Sequence, residues 1–475
     1  MGIALLVGCS EEFLDETEEY VIDSENYFNS EQDYYNALVG TYDLLQATYV
    51  NVLLGEIASD NTVSGGESAT DVIGFQQIDD MTHTEVNDNL DDIWDWNFAG
   101  IQRANYILEF RDKTDFEGKD RIIAEARFLR AYFTFELVKW FGPIPISGDQ
   151  RFQLGDEQSF PRSPVSEVYA QIESDLTFAV DNLDYTAPQV GRATKGSAQA
   201  LLGKAYLYQD KFQQSANVLN DLIQNGPYAL TDFSTLFEQE GENNQESVFE
   251  IQYTGEEGAG FECLQCSEGN VAVGFQGIRG YSGPVFESGF GFNLPTEEVY
   301  SLFGSDDIRR EFSILDIDAW AAATGATYTI GNVEKHTGYY NRKYLPRQND
   351  NVGDANLTQP NNYRAIRFAD VLLMAAEALN RGGINDQLAL TYLNRVRDRA
   401  GLDDLNTAGS DLTDAIFNER RLELVGEGHR FFDLVRTGRA AAAIDGFENN
   451  KNEIFPIPLE ELEFSQGNWE QNTGY

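Results

Sequence analysis

Apolar and polar positions alternate with helical periodicity over most of the chain, and one stretch has the spacing of a helical repeat. In ALLGKAYLYQDKFQQSANVLNDLIQNGP (200–227), Leu202, Gly203 and Tyr206 are followed by a small residue, Ser215, then by Leu219, Leu222 and a closing Pro227. That order is the tetratricopeptide pattern, in which small residues let two successive helices approach closely. Looser helix pairs are predicted for 31–49 with 88–111, 119–140 with 166–183 and 363–381 with 386–400. Between 228 and 362 the periodicity lapses. This region is rich in Gly, Asn, Tyr and Phe, with short strand-like runs such as SVFEIQYT. Irregular segments of such length are usually functional. The expected fold is mostly α: four tetratricopeptide-like helix pairs packed against an irregular, loop-rich lobe with short strands, formed by an insertion at about 228–362.

One stretch breaks the electrostatic pattern. The chain holds 33 Lys and Arg against 79 Asp and Glu, a formal net charge of -46, yet NERRLELVGEGHRFFDLVRTGR (418–439) is dense in arginine. On a helix beginning near Leu412, the residues Leu412, Ile416, Arg420 and Leu424 fall on one stripe. Arg420 is therefore expected to be buried and paired, with Glu419, Glu423 and Glu427 as neighbouring carboxylates and a bidentate network as the outcome. A catalytic reading needs a nucleophile or a proton-transfer pair facing a cleft, and the single His429 does not supply one. The stretch reads as scaffold.

The overall acidity makes nucleic acid and anionic membrane surfaces poor partners. It suits a salty medium, where repulsion is screened within ~10 Å. The opening MGIALLVGC is apolar and is followed at once by the acidic SEEFLDETEEY. That resembles a lipobox: residues 1–9 would be the remnant of a lipoprotein signal peptide, and Cys9 would carry the lipid at the head of a single domain, 10–475. No later segment approaches the ~20 apolar residues needed to span a bilayer, so the protein is expected to be anchored rather than embedded. Cys263 and Cys266, in FECLQCSEGN, fit zinc, a redox pair or a disulfide. Zinc wants about four ligands, and the histidines are His83, His336 and His429. A disulfide is favoured, and no metal is expected at this pair.

The basic stretch also resembles the C-terminal signature of the SusD/RagB family, the outer-membrane glycan-binding lipoproteins of Bacteroidetes. AEARFLRAYFTFELVKWFGPIPI (124–146), TKGSAQALLGKAYLY (194–208), RFADVLLMAAEALNR (367–381), YLNRVRDRAGL (392–402) and the ending IFPIPLEELEFSQGNWEQNTGY follow in family order. The resemblance implies a SusD-like fold and a non-enzymatic role: capture of glycans at the cell surface and delivery to a SusC-like TonB-dependent transporter. It implies a position on the outer membrane, lipid-anchored and facing outward. No cofactor is expected, with a structural calcium ion left open. The rival readings are a tetratricopeptide scaffold that binds a peptide and a glycoside hydrolase. Among 79 acidic residues, a pair of carboxylates at hydrolase spacing carries no information.

Glycan sites stack sugar faces on exposed aromatic rings and bond the hydroxyls with polar neighbours. Trp320, in LDIDAWAAATGATYTIGN, is the leading candidate, with Tyr328 nearby. Tyr281, Phe286, Phe290 and Phe292 follow in RGYSGPVFESGFGFN. Trp94 is in register with Phe98 and Ile101 and reads as core, whereas Trp96 is off that register and is a further candidate. Asp60 and Asn61 are expected at the rim. Arg279, Arg342, Lys343 and Arg347 would be needed as a patch for a polyanionic glycan; without it, a neutral β-1,3-linked glucan is the expected ligand.

Overall fold

The computed structural model describes residues 27–256, 260–350 and 356–475. Cys9 and the lipobox lie outside the described residues. Each predicted helix pair is found packed together: Glu31–Asp43 with Asp88–Glu109, Lys119–Phe141 with Val165–Asn182, Lys195–Leu207 with Phe212–Asn225, and Phe368–Arg381 with Asp386–Arg399. Local chemistry sets their ends. Ser30 accepts from Asp33 N while the Asp33 side chain accepts from Ser30 N, a reciprocal cap that satisfies two orphan donors. Thr194 and Ser197 do the same for the helix that follows. The repeat glycine acts as its pattern requires. A Cβ on Gly203 would stand 2.4 Å from the Leu219 side chain, and Ser215 Oγ donates to Gly203 O at 2.8 Å. Lys119–Phe141 and Phe368–Arg381 are buried almost all round, which places them at the centre of the main core rather than on its surface.

The strands are short and come in pairs. Ser247–Ile251 runs antiparallel to Tyr363–Arg367 and closes the base of the excursion between them. Thr62–Gly65 pairs antiparallel with Phe292–Pro295, Thr62 opposite Pro295 and Gly65 opposite Phe292, so the N-terminal helices are stitched to the lobe. Ile314–Asp316 pairs with Tyr339–Asn341, and Ile278–Arg279 runs parallel to Ser288–Gly289. The lobe has its own small core, including Ile278, Tyr281, Phe286, Leu315, Ile317 and Tyr340. Outside that core, Cys263 and Cys266 are joined as a disulfide.

The basic stretch is scaffold, as its periodicity suggested, but with different partners. Arg420, on the helix Gly409–Glu423, is buried and bonds Asp370 at 2.7 Å and Asp433 at 3.0 Å, not the glutamates of its own segment. Those glutamates belong to other cations. Arg367 reaches Glu246 at 2.7 Å, Glu423 at 2.9 Å and Glu427 at 2.7 Å. Arg309 bonds Glu419 at 2.6 Å and Glu423 at 3.0 Å, and Lys343 bonds Glu427 at 2.6 Å. Burial alone would push the Glu423 carboxyl up; Arg399, Arg367 and Arg309 around it hold it far below the usual carboxylate range instead. His429, pushed down to about 3 by burial and by Lys204, is a neutral member of this core. The turn between the helices needs Gly426 (φ 80) and Gly428 (φ 85), because a Cβ on Gly426 would meet the Asn341 side chain at 2.5 Å.

One further expectation is corrected here. Asp60 and Asn61 are not a glycan rim. Asp60 is clamped by Arg430 at 2.7 Å and Arg421 at 3.0 Å, and Asn61 is fully buried, accepting from Arg421 at 2.8 Å. The patch of basic residues that a polyanionic glycan would need is not formed. Lys343 is buried against Glu427, Arg347 pairs with Glu238 at 2.7 Å, and Arg342 donates to the Glu311 carbonyl.

Candidate functional site

The loop-rich lobe holds an open cleft of about 580 Å³, lined by Glu67, Arg279, Ser288, Phe290, Thr329 and Asn356 together with several glycines and Ile330. Four separate chain segments build it. Gly66 N donates to Gly291 O at 2.8 Å and Asn332 N to Gly66 O at 3.0 Å, which ties the 66–71 loop to both other walls. Thr329 N donates to Arg279 O at 2.9 Å. Phe290 N donates to Gly274 O at 3.0 Å, fixing the Phe290 backbone on the short helix Val271–Gln276.

Arg279 sits at the centre of the polar wall. Its guanidinium donates to Phe290 O at 3.0 Å and to Asp71 Oδ2 at 3.3 Å, and it lies 3.5 Å from Glu67. Asp71 is itself positioned, accepting from Glu67 N at 2.7 Å. The cation is thus matched by two carboxylates, and the cleft carries no surplus positive charge. The apolar side of the cleft is Phe290 and Ile330, and Phe261 lies beside Phe290 just outside the lining. Phe290 lies 5.7 Å from the buried Phe275 and 5.6 Å from Phe261, and Phe261 is 56% exposed. The disulfide two residues beyond Phe261 braces this segment. An exposed ring beside hydroxyl, carboxylate and guanidinium groups suits a ligand with flat apolar faces and many hydroxyls.

Of the aromatic residues expected to bind, Phe290 lines the cleft. Tyr328 adjoins it through Thr329, and its hydroxyl donates to Asp318 Oδ1 at 2.6 Å. The others are placed elsewhere. Trp320 is not a free platform in an irregular loop. It lies on the helix Ile317–Thr324, capped by Asp316, whose side chain accepts from Ala319 N, and closed by Gly325 at φ 76. Its ring packs half-buried at 5.3 Å from Phe286, and Trp320 Nε1 donates to the Tyr281 hydroxyl at 2.9 Å. Tyr281 donates in turn to Pro284 O. Tyr281 and Phe286 are buried in the lobe's core, Phe292 is buried against Phe75 and Phe275, and Trp96 is buried in the main core. These rings offer no open face to a ligand because small local cores need them. Trp94 is core as expected. Trp320→Ala should therefore cost about 2–3 kcal/mol in urea unfolding; an unchanged midpoint would show that the ring does not hold the lobe together.

The polar lining set Glu67, Ser288, Thr329 and Asn356, and Phe261 beside Phe290, carry no marker in the sequence pattern. Among the described residues, no cluster of His, Cys, Asp or Glu is arranged to hold a metal ion, and no helix is long and apolar enough to cross a membrane.

Two family models match the chain, one described as the SusD family over residues 295–454 and one as "Starch-binding associating with outer membrane" over residues 12–207. A solved structure described as a laminarin binding SusD-like protein superposes with a TM-score of 0.86, at 36% identity, covering 94% of this chain and 100% of that one. This chain belongs to the SusD family. Surface glycan-binding protein A from Bacteroides thetaiotaomicron, solved in complex with laminarihexaose, aligns with a TM-score of 0.82 at 25% identity over 93% of this chain and 99% of its own. SusD-like protein P2 from Formosa agariphila is 28% identical over 429 residues, 84% of this chain and 83% of its own length. The helix-rich architecture is that of solved SusD structures, and the relatives are glycan-binding proteins.

Proposed function

We infer that this SusD-like protein binds a neutral β-1,3-linked glucan of the laminarin type in the cleft between Arg279, Phe261 and Phe290. The observation that carries this reading is the likeness, at 36% identity over 94% of the chain, to a protein described as laminarin binding. The cleft's chemistry supports it: Arg279 is matched by Glu67 and Asp71, so nothing there selects a polyanion, and the Phe261–Phe290 pair presents an aromatic face to sugar rings. The protein holds the glycan without cleaving it, needs no cofactor, and passes it to a SusC-like TonB-dependent transporter. A lipid on Cys9 keeps it on the outer face of the outer membrane.

The test is calorimetry with laminarihexaose, cellohexaose and a guluronate hexamer, with reducing-end release measured on the same samples. Saturable binding of laminarihexaose alone, with no new reducing ends, is the expected result. Preference for the guluronate would contradict the neutral-glucan assignment, and steady release of reducing ends would favour a hydrolase.

A further inference from the structure

A second cavity, of about 280 Å³, opens beside the helix Asp88–Glu109 and shares no lining residue with the glycan cleft. Trp94, Phe98, Phe152 and Trp469 wall it. Their rings run in sequence, Trp94 4.7 Å from Phe98 and 6.0 Å from Trp469, with Phe98 6.1 Å from Phe152. Trp469 is fixed by its indole N–H, which donates to Phe160 O at 2.8 Å. Three carboxylates, Asp95, Glu157 and Glu461, share the lining with Ala99, Gln102 and Pro145.

The charge around this cavity is unlike that of the rest of the fold. Many buried carboxylates elsewhere meet arginine or lysine, as Glu423, Asp370 and Glu427 do, while Glu56 is held by the Gly428 N–H and the Asn61 amide. Here Asp88, Asp91, Asp92 and Asp95 repeat at three- and four-residue spacing on one helix, where like charges repel. Glu460 and Glu461 approach from the helix Leu459–Phe464, and Glu157 from the turn Asp156–Gln158. The charges that act on Asp91, Asp92 and Asp95 are all carboxylates. Together with burial, which is the larger cause, they push Asp91 up to about 6 and Asp92 to about 7. Burial, then Asp95 and Asp91, push Glu461 to about 7, against a hydrogen bond from Trp94. Among the described residues these carboxylates are not arranged as a metal site. They surround an apolar space instead, and aromatic faces attract cations.

We propose that this cavity binds a small organic cation, an ammonium or guanidinium group carried on a few apolar carbons, seated on Trp94, Phe98, Phe152 and Trp469 with its charge toward Asp95, Glu157 and Glu461. The volume is close to the lower end for small-ligand sites, which favours a free small molecule over a protein segment. The proposal is independent of the glycan reading. Its pH dependence has a definite sign: Glu461, which lines the cavity and is pushed up to about 7, must be ionised to hold the cation, so affinity rises as pH climbs through about 7.

The experiment titrates the full chain with tetraethylammonium chloride at constant ionic strength against sodium chloride, reading the tryptophan fluorescence, to which Trp94 and Trp469 contribute, alongside calorimetry. The expected result is saturable binding at least tenfold tighter at pH 8 than at pH 5.5. The double variant Asp95→Asn, Glu461→Gln keeps the cavity's shape and should lose that binding at least tenfold while binding laminarihexaose as the wild type does. It should also melt no lower than wild type, since it removes uncompensated charge, so lost binding would not be misfolding. A response no different from sodium chloride, or one the double variant leaves intact, overturns the proposal. Tenfold tighter binding of acetyl-Gly-Arg-Gly-amide than of free butylguanidine would also overturn it, in favour of a protein partner.

Discussion

Arg367→Ala should lower the unfolding free energy by about 3–5 kcal/mol, the cost of breaking a buried ion pair by removing one partner. Arg367 is 1% exposed and bonds three buried glutamates, Glu246, Glu423 and Glu427. Deleting the guanidinium leaves those carboxylates facing one another with less compensation, and burying an unpaired charge is far costlier than losing a surface contact. The loss should fall mainly on stability, because none of these groups lines the glycan cleft. The internal comparison is Arg439→Ala. Arg439 pairs with Asp414 at 2.7 Å, but the two side chains are 40% and 64% exposed, so the loss should be no more than about 1 kcal/mol. The same network links stability to acid. Because the folded pKa of Glu423 lies below its unfolded value, its contribution is fully present above the unfolded carboxylate range near pH ~4.3 and is lost as pH falls further. Urea unfolding at pH 7 and pH 4 reads both effects; a loss below about 1 kcal/mol for Arg367→Ala would show that the buried charges are not what holds the helices to the lobe.

Phe261→Ala should weaken laminarihexaose at least tenfold and leave the melting temperature nearly unchanged. Binding energy concentrates in a few aromatic anchors at about 2 kcal/mol each, and about 1.4 kcal/mol is a factor of ten. Phe261 is more than half exposed and touches Phe290 at 5.6 Å, so its removal leaves no core cavity and should stay within about 0.5 kcal/mol in stability. Phe290→Ala should weaken binding as much but also cost stability, since its ring packs on Phe275. Calorimetry paired with a melting curve separates the two. Intact binding in Phe261→Ala would remove this ring from the site.

The helical part of the fold was legible because its rules are local. Gly203 and Ser215 let two successive helices approach closely, and Pro227 follows just after the second of them ends at Asn225. The burial of Arg420 was legible from its apolar stripe, but its partners were not. Glu423 lies three residues away on the same helix, yet Asp370 and Asp433 take Arg420 while Glu423 turns to Arg367 and Arg309. Sequence spacing cannot choose between a helical neighbour and a partner about fifty residues off. Trp320 was misplaced although a signal was present: Asp316 before the alanine-rich run and Gly325 after it are cap residues, and together they mark a short helix. The cleft itself was the least legible. Its walls come from Glu67, Arg279, Phe290, Thr329 and Asn356, on segments that only the strand pairing and the loop hydrogen bonds bring together.

A crystal structure of the protein with laminarihexaose is the most direct measurement of where the glycan sits. The expected result is sugar rings stacked on Phe261 and Phe290, with hydroxyls bonded to the Glu67–Arg279–Thr329 wall. Glucose units lying instead against the Trp320 helix, or along the helix pairs with this cleft empty, would contradict it.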